Sequence, residues 1–583
     1  MSGFRHSAIL TVAAALTGCA KQPAAEPPAD LVFTNGGIYT VDAERSWAQA
    51  LAVRDGIIVA VGDHQDMAAL IGAGTRVIDL DGGMALPGFH DAHVHTLWGG
   101  RMLLGCSVAD IYELEPMLAK IRECVANAKD EWIVGENWDL GVFPQGNPHK
   151  SLLDKIAPDR PIFMRGSDGH SAWLNSRALE LAGIDADTPT PEFGVIERDP
   201  ETGEPTGTLR ETAVELVVPL LPQATDADRR VELKTGVDEL NRFGITSFIA
   251  AMVDERELRA YRALATASEL NARVVTSIVF GVNPYDYAEA SMPLLERRSE
   301  FASERVNTNS VKLFADFVLE GETAALLEPY VGMGEHRGRL NFEPAALTDA
   351  VKRFDAMGLQ IHFHVIGDRA ARVSLDALEA AREANGSSNG RHHISHLQLI
   401  HPDDIPRFAP LDVSANFQAL WAWPDDWITG INLPVVGQER VDRMYPIGSV
   451  ARAGGRIVGG SDWFVSSPNP LWAIETAIRR QNPIIDEDAV LNAAERVDLA
   501  TMIDAYTING AWLMHQEDEV GSLEVGKRAD LVVLARNLFD LPPREISDVP
   551  VLMTVLDGEV IYETDPNGLA MLDTHRALPR HRH

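Results

Sequence analysis

The sequence predicts an α/β protein: a (β/α)8 TIM-like barrel with a small β-sandwich formed from both chain ends and a large insertion after barrel strand 1. Three observations predict it. Eight apolar, strand-like runs alternate with helix-like segments through the middle of the chain, the pattern of βα units around a parallel sheet. Two β-rich pieces lie at opposite ends of the sequence, each too small to bury a core alone. Between the first and second runs stand far more residues than a loop holds.

The chain opens with MSGFRHSAILTVAAALTGCA, in which Arg5 precedes a short apolar stretch from Ala8 to Leu16. That stretch is too short to span a membrane and reads as a secretion leader over residues 1–18. Leu16-Thr17-Gly18-Cys19 resembles the lipobox of bacterial lipoproteins, which implies lipidation of Cys19; an ordinary cleaved leader is the alternative. Residues 19–30, rich in Pro and Ala, suit a tether. Ala20 rather than an aspartate follows the cysteine, so the expected location is the periplasmic face of the outer membrane, or the periplasm.

Residues 31–83 show short strands broken by Gly-Gly, Asp-Gly and Gly-Asp turns, and the same texture returns at 515–565, so the two pieces are assigned to one sandwich. Residues 84–514 form the barrel domain. Its strands are expected near Met84–His95, Ile245–Ala250, Arg273–Phe280, Val311–Asp316, Gln360–Ile366, His392–Gln398, Leu411–Phe417 and Arg456–Asp462, with the insertion at about 99–240. Residues 566–583 are a tail.

Composition narrows the partners. The 85 acidic and 51 basic residues give a formal charge of −34, which argues against nucleic acid and leaves the lipid anchor as the membrane contact. A small-molecule substrate is expected, and a homo-oligomer is open. Cys106 and Cys124 either pair in an oxidising compartment or remain as two buried thiols.

In such a barrel the active site lies at the C-terminal ends of the strands. His93 and His95 share one side of the first strand, so both imidazoles reach one metal ion. His364 ends the fifth run, His396 the sixth and Asp462 the eighth, while Lys312 interrupts an apolar fourth run. An unpaired lysine there is costly, and Asp316 on the same face is its one evident partner unless CO₂ converts the amine into an anion. His364 is preferred to His362, which shares its face, because it lies nearer the strand end. His90, His393 and His401 are left as packing residues or residues behind the ligands.

The runs LPGFHDAHVH, DGHSAWLNSRAL, VKLFAD, HFHVIGDRA, ISHLQ, GGSDW and GSLEVGKRADLVVL together resemble the amidohydrolase superfamily. Within it the chain is similar to the branch of YtcJ-type and AepA-type proteins and N-substituted formamide deformylases. The resemblance implies metal ligands His93, His95, His364, His396 and Asp462, with Lys312 bridging two ions after carbamylation. Relatives usually show Asp-Gly where Asp316-Phe317 stands, and a bulky side chain is denied the conformations of Gly.

Imidazole and carboxylate donors suit two Zn²⁺, with Mn²⁺, Fe²⁺ or Co²⁺ also compatible. The expected reaction is hydrolysis of C–N bonds in non-peptide amides, namely N-acyl compounds, formamides or cyclic amides. Hydroxide on the metal attacks, and Asp462 is both ligand and proton shuttle. An ester, carbamate or lactone hydrolase on the same site is the alternative; a non-catalytic periplasmic binding lipoprotein would have no use for Lys312 and Asp462. Trp138 and His170 are the expected substrate contacts, with Trp173, Trp421, Trp423 and Trp427 also placed near the mouth.

Overall fold

In the computed structural model, residues 1, 3, 27–109, 111–281, 287–485 and 487–564 are described. Most of the leader, Cys19, most of the tether and the C-terminal tail lie outside them. Eight parallel strands form the barrel sheet: β1 (Phe89–Val94), β2 (Ile245–Val253), β3 (Arg273–Val279), β4 (Val306–Phe314), β5 (Gln360–Val365), β6 (His393–His396), β7 (Ser414–Phe417) and β8 (Ile457–Gly459). They pair in chain order from β1 to β8. Bonds beyond the strand ends close the seam between β8 and β1. The Asp462 amide donates to the His93 carbonyl at 2.7 Å and the His95 amide to the Trp463 carbonyl at 2.6 Å.

β2 and β3 read as mainly apolar runs because a barrel strand is covered on both faces, inside by its neighbours' side chains and outside by helices, whereas β1, β4, β5 and β6 are more often interrupted. The interruptions are polar residues that point inward. The first expected run proves to be two strands: Met84–Pro87 belongs to the sandwich, and β1 starts after Gly88. At Gly88 a Cβ would stand 2.3 Å from Thr246 Oγ1, so the change of sheet takes place where only glycine fits.

The sandwich holds a four-stranded sheet from Leu31–Thr34, Ala50–Arg54, Ile57–Gly62 and Arg76–Asp79. In its six-stranded partner sheet, Met84–Pro87 lies between Gly37–Tyr39 and the C-terminal strand Leu531–Leu534. Phe33, Ile38, Leu51, Val53, Ile58, Leu531, Val533 and Val555 fill the space between the sheets, which explains why neither chain end buries a core alone. A buried ion pair from Arg273 at the foot of β3 to Asp530, 2.9 Å apart, fixes the sandwich to the barrel.

Between β1 and β2 the chain builds a second six-stranded sheet over residues 106–211, backed by the helix Leu114–Asn127. Cys106 on its edge strand is disulfide-bonded to Cys124 on that helix. Among the described residues, no helix is long and apolar enough to cross a membrane.

Candidate metal centre

The polar residues at the strand ends converge. His93 Nε2 and His95 Nε2 lie 3.3 Å and 3.1 Å from Asp462 Oδ1, and His396 Nδ1 lies 3.9 Å from Asp462 Oδ2. His93, His396 and Asp462 each offer a donor atom within 4.8 Å of the others. The His364 ring is 4.5 Å from that of His396. Among the described residues His364 Nδ1, both nitrogens of His396 and Asp462 Oδ1 are buried without a hydrogen-bond partner. Orphaned buried donors and acceptors are costly. Two ligands on a tetrahedral ion at about 2.0–2.1 Å stand roughly 3.3 Å apart, so atoms close in space yet not aimed at one another suit a shared divalent cation.

Local backbone chemistry aims these groups. Asp91 Oδ1 accepts the amides of His93 and Ser461, both at 3.0 Å, which ties the end of β1 to the loop after β8. His396 and Asp462 hold φ of 77° and 55°, the left-handed region that non-glycine residues avoid and that clusters at functional sites. Burial keeps the imidazoles of His93, His364 and His396 well below their usual pKa, so they are neutral and free to ligate.

Lys312 corrects one expectation. Its amine does not pair with Asp316, whose carboxylate instead accepts the amides of Ala325, Ile366 and Gly367 at 2.8–2.9 Å. The amine faces inward, fully buried, 3.3 Å from His362 Nε2. Burial lowers it to about 7. Asp316 thus acts as a backbone clamp whose amide partners lie up to 51 residues away, beyond the reach of any local pattern.

The expected substrate contacts divide. His170 reaches the site: its ring is 5.8 Å from that of His364, and its Nδ1 is 2.9 Å from Glu211 Oε2. Burial opposes the imidazolium, but the Glu211 charge and hydrogen bond outweigh it and raise His170 to about 9. Trp138 does not line the mouth. It is fully buried inside the insertion against Phe143 and Trp173, with its Nε1 donating to the Met164 carbonyl. An indole packed on all sides contributes core stability, and Trp173 is buried in the same way. Trp427 donates to Asp139.

The aromatic wall comes from other residues. Trp421 stacks on His396 with rings 5.6 Å apart, Trp98 on His95 at 5.4 Å and Phe314 on His364 at 4.9 Å. Phe464 meets both Trp98 and His95. Phe317 is buried beside Phe314 and Val279, its ring 6.0 Å from that of His170. Trp98 and Phe314 were within reach of sequence reasoning. Trp98 lies three residues after His95, one helical turn, and Phe314 two after Lys312, on the same strand face.

Comparison with known proteins agrees with this geometry. The sequence profile of the amidohydrolase family matches residues 76–562. Protein LONG AFTER FAR-RED 3 of Arabidopsis thaliana is 30% identical over 552 residues, 93% of each chain. The N-substituted formamide deformylase of Arthrobacter pascens is 30% identical over 551 residues, 92% of this chain and 98% of that one. An uncharacterized metal-dependent hydrolase from Pyrococcus furiosus superposes with a TM-score of 0.66 at 26% identity, covering 87% of this chain and 99% of its own. With its eight-stranded barrel and converging histidines, the chain belongs to the amidohydrolase family, in the branch of YtcJ, AepA and the N-substituted formamide deformylases, and is a metal-dependent hydrolase acting on carbon–nitrogen bonds other than peptide bonds.

Proposed function

We propose that the protein hydrolyses a small non-peptide amide, an N-acyl compound, formamide or cyclic amide, at a centre of two divalent ions, with Zn²⁺ the best match to the donors. The observation that carries this reading is the convergence of His93, His95, His396 and Asp462 with buried atoms that have no protein partner. His93, His95, His364, His396 and Asp462 would hold the ions. Lys312 would join them as a carbamate, in which the free-base amine adds to CO₂ and releases a proton. Its burial, and its displacement to about 7, supply that free base at neutral pH.

When bound, such ions lower the pKa of water from about 15.7 to about 7 and polarise an acyl oxygen. The remaining work falls to the chain. Asp462 takes up a proton at its carboxylate and returns it to the leaving nitrogen. His170, with Nδ1 held by Glu211, would donate its Nε2–H to the substrate's acyl oxygen. Trp98, Phe464 and Trp421 line the approach and exclude water, which favours an apolar or aromatic substituent.

The test combines metal analysis of purified protein with a panel of formamides, N-acyl amines and esters, assayed before and after chelation. Amide hydrolysis lost on chelation and restored by Zn²⁺ is expected. Activity that survives full chelation, or a preference for esters, overturns the reading. We also place the protein at the periplasmic face of the outer membrane through Cys19. The leader and the Cys106–Cys124 bridge, which suits an oxidising compartment, support this location.

A further inference from the structure

Beneath the candidate metal centre the barrel interior holds a further row of buried polar residues. Lys312 on β4, His362 on β5, His393 on β6 and Ser414 on β7 stand abreast in register. All four are fully buried. His362 is the hub of this layer. Its Nε2 is 2.9 Å from His93 Nδ1, 2.9 Å from Ser395 Oγ and 3.3 Å from Lys312 Nζ, and its Nδ1 is 3.0 Å from Ser277 Oγ.

We propose that His362 is a positioning residue of the metal centre: its neutral imidazole accepts the Nδ1–H of His93 and so keeps the His93 Nε2 lone pair turned towards the ion. This rests on the metal-centre reading above.

The tautomers follow from proton counting. A neutral imidazole carries one N–H, and a ligating nitrogen must be bare. His93 Nε2 is the atom that faces Asp462, so its proton belongs on Nδ1. The hydrogen-bond partner at that nitrogen is His362 Nε2, which accepts only if His362 carries its own proton on Nδ1. Nδ1 has its acceptor in Ser277 Oγ, whose hydroxyl is in turn 2.8 Å from Ser310 Oγ. The ring is held by His393, 4.0 Å away, whose Nδ1 lies 3.4 Å from Asn416 Nδ2.

Metal-bound histidines usually give their second N–H to a carboxylate or a carbonyl. A neutral imidazole in that place orients His93 without adding negative charge to a centre already supplied by Asp462 and, when carbamylated, Lys312. It also serves where no water reaches, since His93 and His362 are both buried to 1% exposure or less.

The experiment measures Zn²⁺ affinity of the metal-free, full-length protein by competition with a chelating dye, for wild type, His362→Phe and His362→Gln. Circular dichroism checks the fold. Phe keeps a planar ring and removes the acceptor, whereas Gln returns an amide oxygen near the former position of Nε2. The Phe variant is expected to bind Zn²⁺ about 10–100-fold more weakly, and Gln to recover most of that loss. His362→Met, equally without a strong acceptor, takes the place of Phe if the latter does not fold. Full-strength binding by folded Phe or Met variants overturns the proposal, as does equal weakness of Gln and Phe, which would assign the effect to shape. A wild-type protein that binds no Zn²⁺ removes the metal-centre reading itself, and the proposal with it.

Discussion

Glu211→Gln isolates one charge at the mouth of the barrel. The carboxylate hydrogen-bonds His170 at 2.9 Å, and the His170 side chain is 19% exposed. Burial would push this imidazole down, but Glu211 dominates the balance, with smaller help from Asp168 and Asp462, and raises it from 6.5 to about 9. That difference corresponds to roughly 3 kcal/mol between the two protonation states. Because the folded pKa is raised, the stabilisation is fully present below pH 6.5 and is lost as pH rises through about 9.

Gln keeps an acceptor and removes the charge, so burial prevails and His170 becomes neutral in the folded variant. Urea unfolding followed by tryptophan fluorescence at pH 6, 8 and 10 reads the consequence. The wild type should exceed the variant by about 3 kcal/mol at pH 6, with the gap closing by pH 10. A gap of constant size across that range would mean that His170 is not held as an imidazolium, and the donor role assigned to it fails.

Two further predictions concern the chemistry and the insertion. Asp462→Asn retains an oxygen donor but not the basicity, so bound metal should stay near wild-type stoichiometry while kcat falls about 10²–10⁴-fold; undiminished turnover removes the proton role. Trp138→Ala opens a cavity in the insertion and leaves the Met164 carbonyl without its donor, at a cost of about 3–5 kcal/mol. Limited proteolysis should then cut within residues 106–211, whereas an intact, protease-resistant variant with a raised KM would return Trp138 to the substrate pocket.

The barrel was legible because each strand carries its own signal, an apolar run of the right length, and five of the eight also carry a polar residue that is out of place in such a run unless the strand meets a site. His93, His95, His364, His396 and Asp462 were singled out this way as candidates, and Lys312 as a lone cation inside an apolar run. Trp138 was misplaced for a related reason. An aromatic residue near a glycine-rich turn reads alike at a mouth or in a core, and only the neighbours Phe143 and Trp173 decide which it is.

The sequence by itself determined the sheet class, the order of strands and the residue types at their ends, because periodicity and turn chemistry are local properties of the chain. Tertiary structure decided who meets whom. Asp316 holds with its carboxylate backbone amides from two distant segments, Ala325 and Ile366–Gly367, Lys312 turns to His362, and His170 acquires Glu211 as its counter-charge. Such pairings depend on ångström-scale distances across the closed barrel and its insertion. Their energies therefore follow from burial and geometry that no local pattern encodes.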